Sequence, residues 1–277
     1  MNKAVTKSRP LPLLKLRSLL GTGVVLVENF DRLFKDSILV QTFPLRDSFR
    51  GYAIAQPGKV LDGLKQQAIY SALKDISIHA FGNSDAVEQY WTYHADRGYF
   101  YHLAELFLLA NSDNRIVGFS GYSLLTGKNY VNFYVDLTAV IEDIQARGAM
   151  SDLLDERLVN GVFTQYEEVE NRYASTRTQN PVVYLVAKTL ADPLYPAPTS
   201  KAKTPPGVLE AAADLITWLG GNKLQEETLM QKDAYPSPLF PRGQRPNLGQ
   251  KAIDSMFEQL DDRDAYLLIG RVRAQKK

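Results

Sequence analysis

The chain contains no cysteine, and this absence excludes several kinds of chemistry. Without thiols there is no disulfide, no thiolate-bound metal and no cysteine nucleophile. Histidine is almost as scarce, because only His79, His94 and His102 occur and no His-Glu-x-x-His spacing is present. We therefore expect no metal site in this protein.

Long apolar runs and a strong charge bias are also missing. No stretch approaches the roughly 20 apolar residues of a transmembrane helix. The net charge is +1 over 277 residues, so no overall field favours nucleic acid or a membrane. Residues 1–17 hold only basic charged side chains but lack the apolar core of a signal peptide. We expect a solvated basic tail on a cytoplasmic protein without a membrane partner; the alternative for the tail is a contact with RNA or another polyanion.

Two common enzyme signatures are absent as well. No Gly-x-Ser-x-Gly motif occurs, which argues against an α/β-hydrolase nucleophile. Gly21 and Gly23 precede an apolar run instead of linking a strand to a helix, so they do not form a dinucleotide-binding fingerprint. Composition is ordinary for a globular protein, with 45% hydrophobic and 23% charged residues.

The most informative segment that is present runs from Tyr130 to Leu158. Residues 130–140 are apolar and rich in β-branched and aromatic side chains, a polar turn containing Gly148 follows, and residues 151–158 are amphipathic. This order predicts a strand, a tight loop and a helix. A loop of this kind directs free backbone N–H groups and the positive end of the helix dipole to one spot, where an anion such as phosphate is stabilised.

The spacing inside this segment resembles the donor-binding motif of the GNAT superfamily of N-acyltransferases, Gln/Arg-x-x-Gly-x-Gly/Ala. Gln145 and Gly148 take the first two places, Met150 stands where the family prefers Gly or Ala, and Val140 and the Leu153-Leu154 pair flank the motif. The resemblance implies an acyltransferase whose donor is acetyl-CoA or another acyl-CoA, without a metal.

The remaining elements fit the fold that this resemblance implies, a mixed α/β fold with a GNAT-like central mixed sheet flanked by helices. Apolar periodicity predicts a helix over 59–76, a second helix capped at 83–85, and three antiparallel strands within 104–140. It then predicts a strand over 172–178, a helix over 182–191, a loop over 192–206, a helix over 206–219, an irregular segment over 232–250 and a closing strand over 264–273. We expect residues 1–80 to be an N-terminal extension packed on a domain of residues 81–277.

The resemblance also implies which residues hold the donor. Backbone at a bulge in the fourth strand polarises the thioester carbonyl, the loop binds the pyrophosphate, and an asparagine before the next helix contacts the pantetheine or phosphate. These positions are Leu137, Ala139, Val140, Gln145, Arg147, Gly148, Ala149, Met150 and Asn180.

Three residues are candidates for proton transfer. Asp136 lies inside an apolar strand, where a charge is costly unless it is partnered, so it is either a structural hydrogen-bonding group or a base with a raised pKa. Glu105 starts its strand and is either a base or a solvent-facing residue. Tyr184 is implied as the donor of a proton to the leaving thiolate, although it follows Asn180 by four residues where the family typically has six or seven. His94 and His102 are expected either to pack in the core or to act as bases, and the aromatic cluster of 90–102 is expected either to pack in the core or to line an acceptor pocket.

We therefore expect an N-acyltransferase that acts on an amine of a small-molecule metabolite, as a monomer or homodimer. Two alternatives stay open: a related fold that takes its acyl group from aminoacyl-tRNA, and a catalytically silent GNAT-like domain that only binds a ligand or partner. The sequence does not identify the acceptor.

Overall fold

The structure, a computed structural model, describes residues 40–82, 84–113, 115–145, 147–199, 203–221 and 224–273. The basic tail of residues 1–17, the glycine turn at 21–23 and the capping residue Asn83 lie outside these ranges. Within the described residues no helix is long and apolar enough to span a membrane. Nor do three or more His, Asp or Glu side chains in these ranges converge on a point where they could hold a metal ion.

Eleven strands and eight α-helices make up the described part of the chain. The strands are β1 (Val40–Pro44), β2 (Arg50–Ala55), β3 (Glu105–Ala110), β4 (Ile116–Thr126), β5 (Tyr130–Val135), β6 (Ala139–Val140), β7 (Asn171–Thr178), β8 (Ala191–Tyr195), β9 (Leu224–Gln225), β10 (Met230–Gln231) and β11 (Ala265–Val272). The helices are α1 (Pro57–Val60), α2 (Gly63–Phe81), α3 (Ser84–Asp96), α4 (Tyr99–His102), α5 (Ala149–Leu154), α6 (Pro181–Leu190), α7 (Pro206–Trp218) and α8 (Lys251–Glu258).

All strands belong to one mixed sheet in the order β1-β2-β3-β4-β5-β7-β11-β10-β9, with β6 paired to β4 and β8 paired to β11. Neighbouring strands are antiparallel except β5 and β7, which are parallel. The single parallel pair lies near the middle of the sheet, so its two strands must be joined by a crossover, and α5 supplies it.

Helices cover both faces of the sheet because side chains alternate along each strand. On one face Phe107, Phe133 and Leu268 pack against α5, α6 and α8. On the other face Leu106 packs against α2 and α3, and Leu267 packs against α7. The expected fold class, a mixed α/β fold with a central mixed sheet flanked by helices, is therefore confirmed.

Most predicted elements are present, including the three-stranded meander of β3, β4 and β5. One prediction was wrong: the segment expected as a loop over 192–206 begins with β8, which pairs with β11. Pro193 within this strand and Pro196 directly after it hid the strand, because proline is depleted in strands except at edges and strand ends. The helix predicted after Gly148 continues beyond α5 as a π turn (Asp155–Val162) and a 3-10 turn (Phe163–Tyr166).

The region expected as an N-terminal extension contributes to the same sheet. β1 pairs with β2, and β2 pairs with β3 along its whole length, from Arg50 opposite Ala110 to Ala55 opposite Glu105. Residue 80 lies in the last turn of α2. The domain boundary between residues 80 and 81 stays a prediction.

Candidate active site

The central feature of the site is the point where the two parallel strands separate. β5 and β7 pair from Tyr130 opposite Asn171 to Tyr134 opposite Ser175. Beyond this point the chain after β5 stays with β4, whereas β7 stays with β11 as far as Thr178. The sheet therefore opens between the two strands.

A β-bulge helps to open this split. Val135 lies opposite Tyr122 and Ala139 lies opposite Phe119, so residues 136–138 face only two residues of β4. A bulge of one extra residue bends its strand and releases a backbone group from the ladder. Here the N–H of Leu137 donates to Oδ1 of Asp136 at 2.8 Å. The N–H of Thr138 has no backbone acceptor within the described residues, and Thr138 lines the cleft.

The split contains a cleft of about 490 Å³, within the usual size range of small-molecule sites. Its walls come from the end of β5, from β6, from the loop before α5, from the middle of β7 and from the start of α6. Seven of the nine residues expected to hold the donor line it: Ala139, Val140, Gln145, Gly148, Ala149, Met150 and Asn180. Residues distant in sequence close its rim, among them Phe81 and Phe240, whose rings meet edge to face at 5.2 Å.

One end of the cleft has the geometry of an anion-binding loop. Gly148 precedes α5 with φ of 77°, a left-handed conformation that glycine adopts without strain. The amides of the first turn of a helix have no acceptor inside the helix and are free to meet a ligand. The guanidinium of Arg46 lies next to this loop, because a Cβ at Gly148 would be 3.4 Å from its Nη1. Arg46 also forms an ion pair with Asp152, which ties the β1–β2 turn to the first turn of α5.

Met150 is accommodated by a glycine on the neighbouring strand. A Cβ on Gly118 of β4 would be 3.2 Å from the methyl carbon of Met150. Since methionine is flexible, its side chain fits this space on the sheet. Met150 is therefore accommodated on the sheet while Gly148 keeps its left-handed turn.

Asn180 lies at the opposite wall as the N-cap of α6. Its Oδ1 accepts from the N–H of Val182 at 2.9 Å, and its own N–H donates to the hydroxyl of Thr178 at 2.9 Å. Asparagine is among the preferred capping residues because its side chain satisfies a free amide of the first turn. The cap leaves the side-chain NH2 group as its remaining donor.

On the other face of the split lies a group of buried aromatic side chains that we call the tyrosine chamber. Tyr90 packs on His94 at 4.2 Å between ring centroids, and His94 lies 5.6 Å from Tyr99. Burial lowers the pKa of His94 to about 3, with a further contribution from Arg177, so its imidazole is neutral at physiological pH. The chamber consists of Tyr90, His94, Tyr99, Tyr134, Asp136, Arg177 and Tyr235.

Asp136 is the acidic group of this chamber. Burial raises the pKa of its carboxyl above the ordinary value, and this effect outweighs the opposing effects of the Leu137 N–H and of Arg177. Burial is the main cause that raises the phenol pKa of Tyr90, Tyr99 and Tyr134, and the carboxylate of Asp136 raises these pKa values further. Asp136 therefore lies among the phenols, one residue beyond Val135, which lines the cleft.

Arg177 is the basic group of the chamber. Its guanidinium lies 4.8 Å from the centroid of the Tyr235 ring, and its Nη1 donates to Oε1 of Gln231 at 3.2 Å. Its buried Nε has no hydrogen-bond partner within the described residues, and neither has the buried hydroxyl of Tyr99. Such unpaired groups are rare in folded proteins and often mark a place that a ligand completes.

The other two candidates for proton transfer are Glu105 and Tyr184, and like Asp136 neither of them lines the cleft. Glu105 is buried, contrary to the solvent-facing alternative, and accepts from Nη2 of Arg157 at 2.6 Å. Burial raises the pKa of its carboxyl despite this partner. Tyr184 is 3% exposed and packs in the core between α6 and the sheet. A role in proton transfer stays a prediction for both residues.

Two of the expected donor-binding residues also lie apart from the cleft. Arg147 lines a separate polar cavity with His79 and Arg115. Leu137 packs its side chain toward the core formed with α2 and α3. For Leu137 the expectation concerned backbone, and its N–H is bound to Asp136.

Several site residues could not be found from the motif. Arg46 comes from a region that the resemblance left unassigned, and Phe240 comes from one that it covered only loosely. Arg177 lies in a strand, where alternation of side chains predicts its face of the sheet but not its neighbours. The periodicity of β7 could have placed Arg177 on the same face as Ser175, but not beside Asp136.

Comparison with known proteins gives a resemblance at the level of structure alone. No protein-family model and no curated protein matches the chain. Among solved structures, Naa50 of Arabidopsis thaliana, in complex with a bisubstrate analogue, is 12% identical, with 84% of this chain and 98% of that chain covered and a TM-score of 0.32. A histone acetyltransferase HPA2-related acetyltransferase from Corynebacterium glutamicum is 12% identical, with 61% and 93% covered and a TM-score of 0.36.

A GNAT family acetyltransferase from Brucella melitensis, in complex with acetyl-CoA, is 16% identical, with 38% of this chain and 68% of that chain covered and a TM-score of 0.27. These identities and TM-scores are low. The function therefore has to be argued from the geometry of the site itself.

Proposed function

We propose that the chain is an N-acyltransferase of the GNAT superfamily, which transfers an acetyl or other acyl group from acyl-CoA to an amine of a small molecule. The observation that carries this proposal is the split between β5 and β7. One end of its cleft is the loop at Gly148, and on the opposite face of the split Asp136 lies in the tyrosine chamber.

Successive parts of the cleft suit the pyrophosphate, the pantetheine arm and the thioester of the proposed donor. The first-turn amides of α5 and the guanidinium of Arg46 are suited to the pyrophosphate. The apolar side chains of Val140, Val182 and Val186 suit a pantetheine arm. The N–H of Thr138 is the donor available to polarise a thioester carbonyl at the bulge.

The reaction needs a neutral amine, because an ammonium group has no free electron pair. Asp136 is the group that we assign to take this proton, since a carboxylate with a raised pKa is a stronger base than an ordinary one. The amine nitrogen then bonds to the carbonyl carbon and gives up its extra proton to solvent, the carbon–sulfur bond breaks, and CoA leaves as a thiolate that solvent protonates. The products are an amide and free CoA.

The small-molecule acceptor is supported by the closure of the chamber. Tyr90, Tyr99 and Tyr134 are each 3% exposed, and Tyr235 is 7% exposed, so these aromatic rings pack closely around Asp136. Such walls suit a compact acceptor.

Calorimetric titration of the full-length chain with acetyl-CoA and CoA tests the donor. We expect dissociation constants in the micromolar range, equivalent to about −8 kcal/mol. Release of free thiol in the presence of amines then tests turnover. Absence of binding would remove the acyl-CoA assignment, and binding without turnover on any amine would indicate a silent binding domain.

A further inference from the structure

Two charged groups of the tyrosine chamber face each other across the split without forming an ion pair. Asp136 follows Tyr134 by two residues, and Arg177 follows Ser175 by two residues, where Tyr134 and Ser175 are the last parallel pair. In a continuous ladder such positions would be about 4.8 Å apart on one face. Because the strands separate there, no nitrogen of Arg177 comes within 4.0 Å of a carboxylate oxygen of any described residue.

Neither charge is fully satisfied by the neighbouring protein groups. Asp136 accepts from one backbone N–H, and Arg177 donates to the neutral amide of Gln231. The Nε of Arg177 and the hydroxyl of Tyr99 are buried and without a partner in the described ranges. A charge held out of water in this way is costly unless a partner of opposite sign completes it.

The buried phenols and the buried imidazole that face this pair are neutral at physiological pH. The phenols of Tyr90, Tyr99 and Tyr134 have raised pKa values because they are buried, and Asp136 raises them further. His94 is neutral because burial lowers its pKa to about 3. His102 and Arg97 approach the chamber only from its edge, where both side chains are exposed. The pair of charges therefore sets the polarity of the chamber: negative on the β5 side and positive on the β7 side.

We propose that the acceptor is a zwitterionic amine, a molecule of the amino-acid class, whose amine faces Asp136 and whose carboxylate binds the guanidinium of Arg177 with help from the hydroxyl of Tyr99. This inference rests on the proposed function and specifies its substrate. A simple amine would satisfy Asp136 but would leave Arg177 unpaired, whereas a zwitterion complements both groups. Arginine binds carboxylates through paired hydrogen bonds, and its unpartnered Nε is one of the donors that such a pair uses.

This proposal is tested by measuring the activity of the full-length chain on sets of matched acceptor molecules. Each free amino acid is compared with its amide and with the amine that lacks the carboxyl group, under saturating acetyl-CoA, by release of free thiol. We expect kcat/KM for the free amino acid to exceed the other two by about 10- to 100-fold, since a charge-assisted hydrogen bond has an energy of that order.

Substitution of Arg177 tests the residue itself. In Arg177→Gln the preference for the free amino acid should disappear while acetyl-CoA affinity stays unchanged, and Arg177→Lys should keep part of the preference. Arg271→Gln is the matched control, because Arg271 lies exposed on β11 and its guanidinium bonds to Asn171. This control should keep the full preference.

The outcomes separate this inference from the proposed function. Equal or better acylation of amides, peptides or simple amines would overturn the inference and leave the acyltransferase assignment intact. A carboxylate preference that survives in a folded Arg177→Gln protein would overturn it as well. Failure to bind acetyl-CoA would instead contradict the proposed function.

Discussion

The two faces of the split sheet differ in chemistry although the same two strands form both. The face toward α5 and α6 is lined by valine, alanine and leucine side chains, with backbone amides at one end. The opposite face holds the tyrosine chamber with Asp136 and Arg177. Alternation along β5 and β7 produces this difference, because successive side chains point to opposite faces. In the proposed function the first face binds the long, largely apolar donor and the second binds the small polar acceptor, and we call them the donor face and the acceptor face.

The donor face depends on backbone approach, and a negative charge at Gly148 should disrupt it most strongly. Gly148→Glu places a carboxylate next to the expected pyrophosphate and strains a residue whose φ is 77°. We expect acetyl-CoA affinity to fall by more than about 100-fold, because like charges in contact cost several kcal/mol. Calorimetry measures this change.

Gly63→Glu is the control for the donor face. Gly63 begins α2, and a Cβ there would meet nothing within 4 Å. An acidic residue in the first turn of a helix is favourable, so affinity and stability should stay unchanged. Wild-type affinity in a folded Gly148→Glu protein would contradict the donor-loop assignment.

The acceptor face depends on a titrating group, and Asp136→Asn removes it. We expect kcat to fall by about 100- to 1,000-fold, the usual contribution of a general base, while acetyl-CoA affinity changes by less than about 3-fold. Steady-state kinetics and calorimetry separate the two effects. Full activity of the variant at pH 7 would remove Asp136 as the base.

The pH dependence sharpens this test. The base must be ionised, and burial raises the pKa of Asp136, so kcat/KM should fall as pH falls through a value above the ordinary carboxyl range.

The folded state binds the proton of Asp136 more tightly than the unfolded state does. As pH rises from the pKa of Asp136 in the unfolded state to its higher pKa in the folded state, ionisation of this carboxyl lowers the stability of the fold. The variant Asp136→Asn cannot ionise there, so it should melt at a higher temperature than wild type at neutral pH. A lower melting temperature would show that the ionised carboxylate stabilises the fold.

Glu105 is a second buried carboxylate whose pKa is raised by burial, and it serves as the comparison for Asp136. Glu105→Gln should keep turnover within about 3-fold of wild type and preserve the acidic limb of the pH profile. Glu105→Ala should lower the free energy of unfolding by about 2–4 kcal/mol, because it strips Arg157 of its partner in a largely buried position. Chemical denaturation measures the stability. A large loss of turnover in folded Glu105→Gln would instead indicate a role in proton transfer.

Met150 should matter least on the donor face. Its side chain packs toward Gly118 on β4, so Met150→Ala removes packing and leaves the loop backbone in place. We expect acetyl-CoA affinity within about 3-fold of wild type and a loss of about 1–2 kcal/mol in the free energy of unfolding. Calorimetry and denaturation measure these values. A tenfold change in affinity in either direction would show that the side chain shapes the donor site.

Local pattern was enough to predict the elements around the donor loop. The meander, the glycine turn and the capped helix at Asn180 are each encoded within a few residues, by alternation, by left-handed glycine geometry and by a capping side chain. The strand β8 was missed because prolines mask its pairing with β11, a contact between residues about 75 positions apart in the chain.

The acceptor side could be predicted only in part, for a physical reason. The aromatic residues of 90–102 were visible as a group, and Asp136 stood out as a charge in an apolar strand. Arg177, Tyr235 and Arg46 reach the site through sheet order and long loops, and no local pattern specifies those. The burial of Glu105 depends on Arg157, which is 52 residues away in the chain.

The bulge at residues 136–138 limits which insertions and deletions this segment can accept during evolution. Since side chains alternate with a period of two, the extra residue reverses which face every later position of the strand meets. Losing one residue there would turn Ala139 and Val140 over and restore a regular ladder across the opening. Replacement of individual side chains in this segment changes the rate or the substrate, but a change in its length removes the opening itself. The number of residues between Val135 and Ala139 is therefore a stricter constraint than the identity of any one of them.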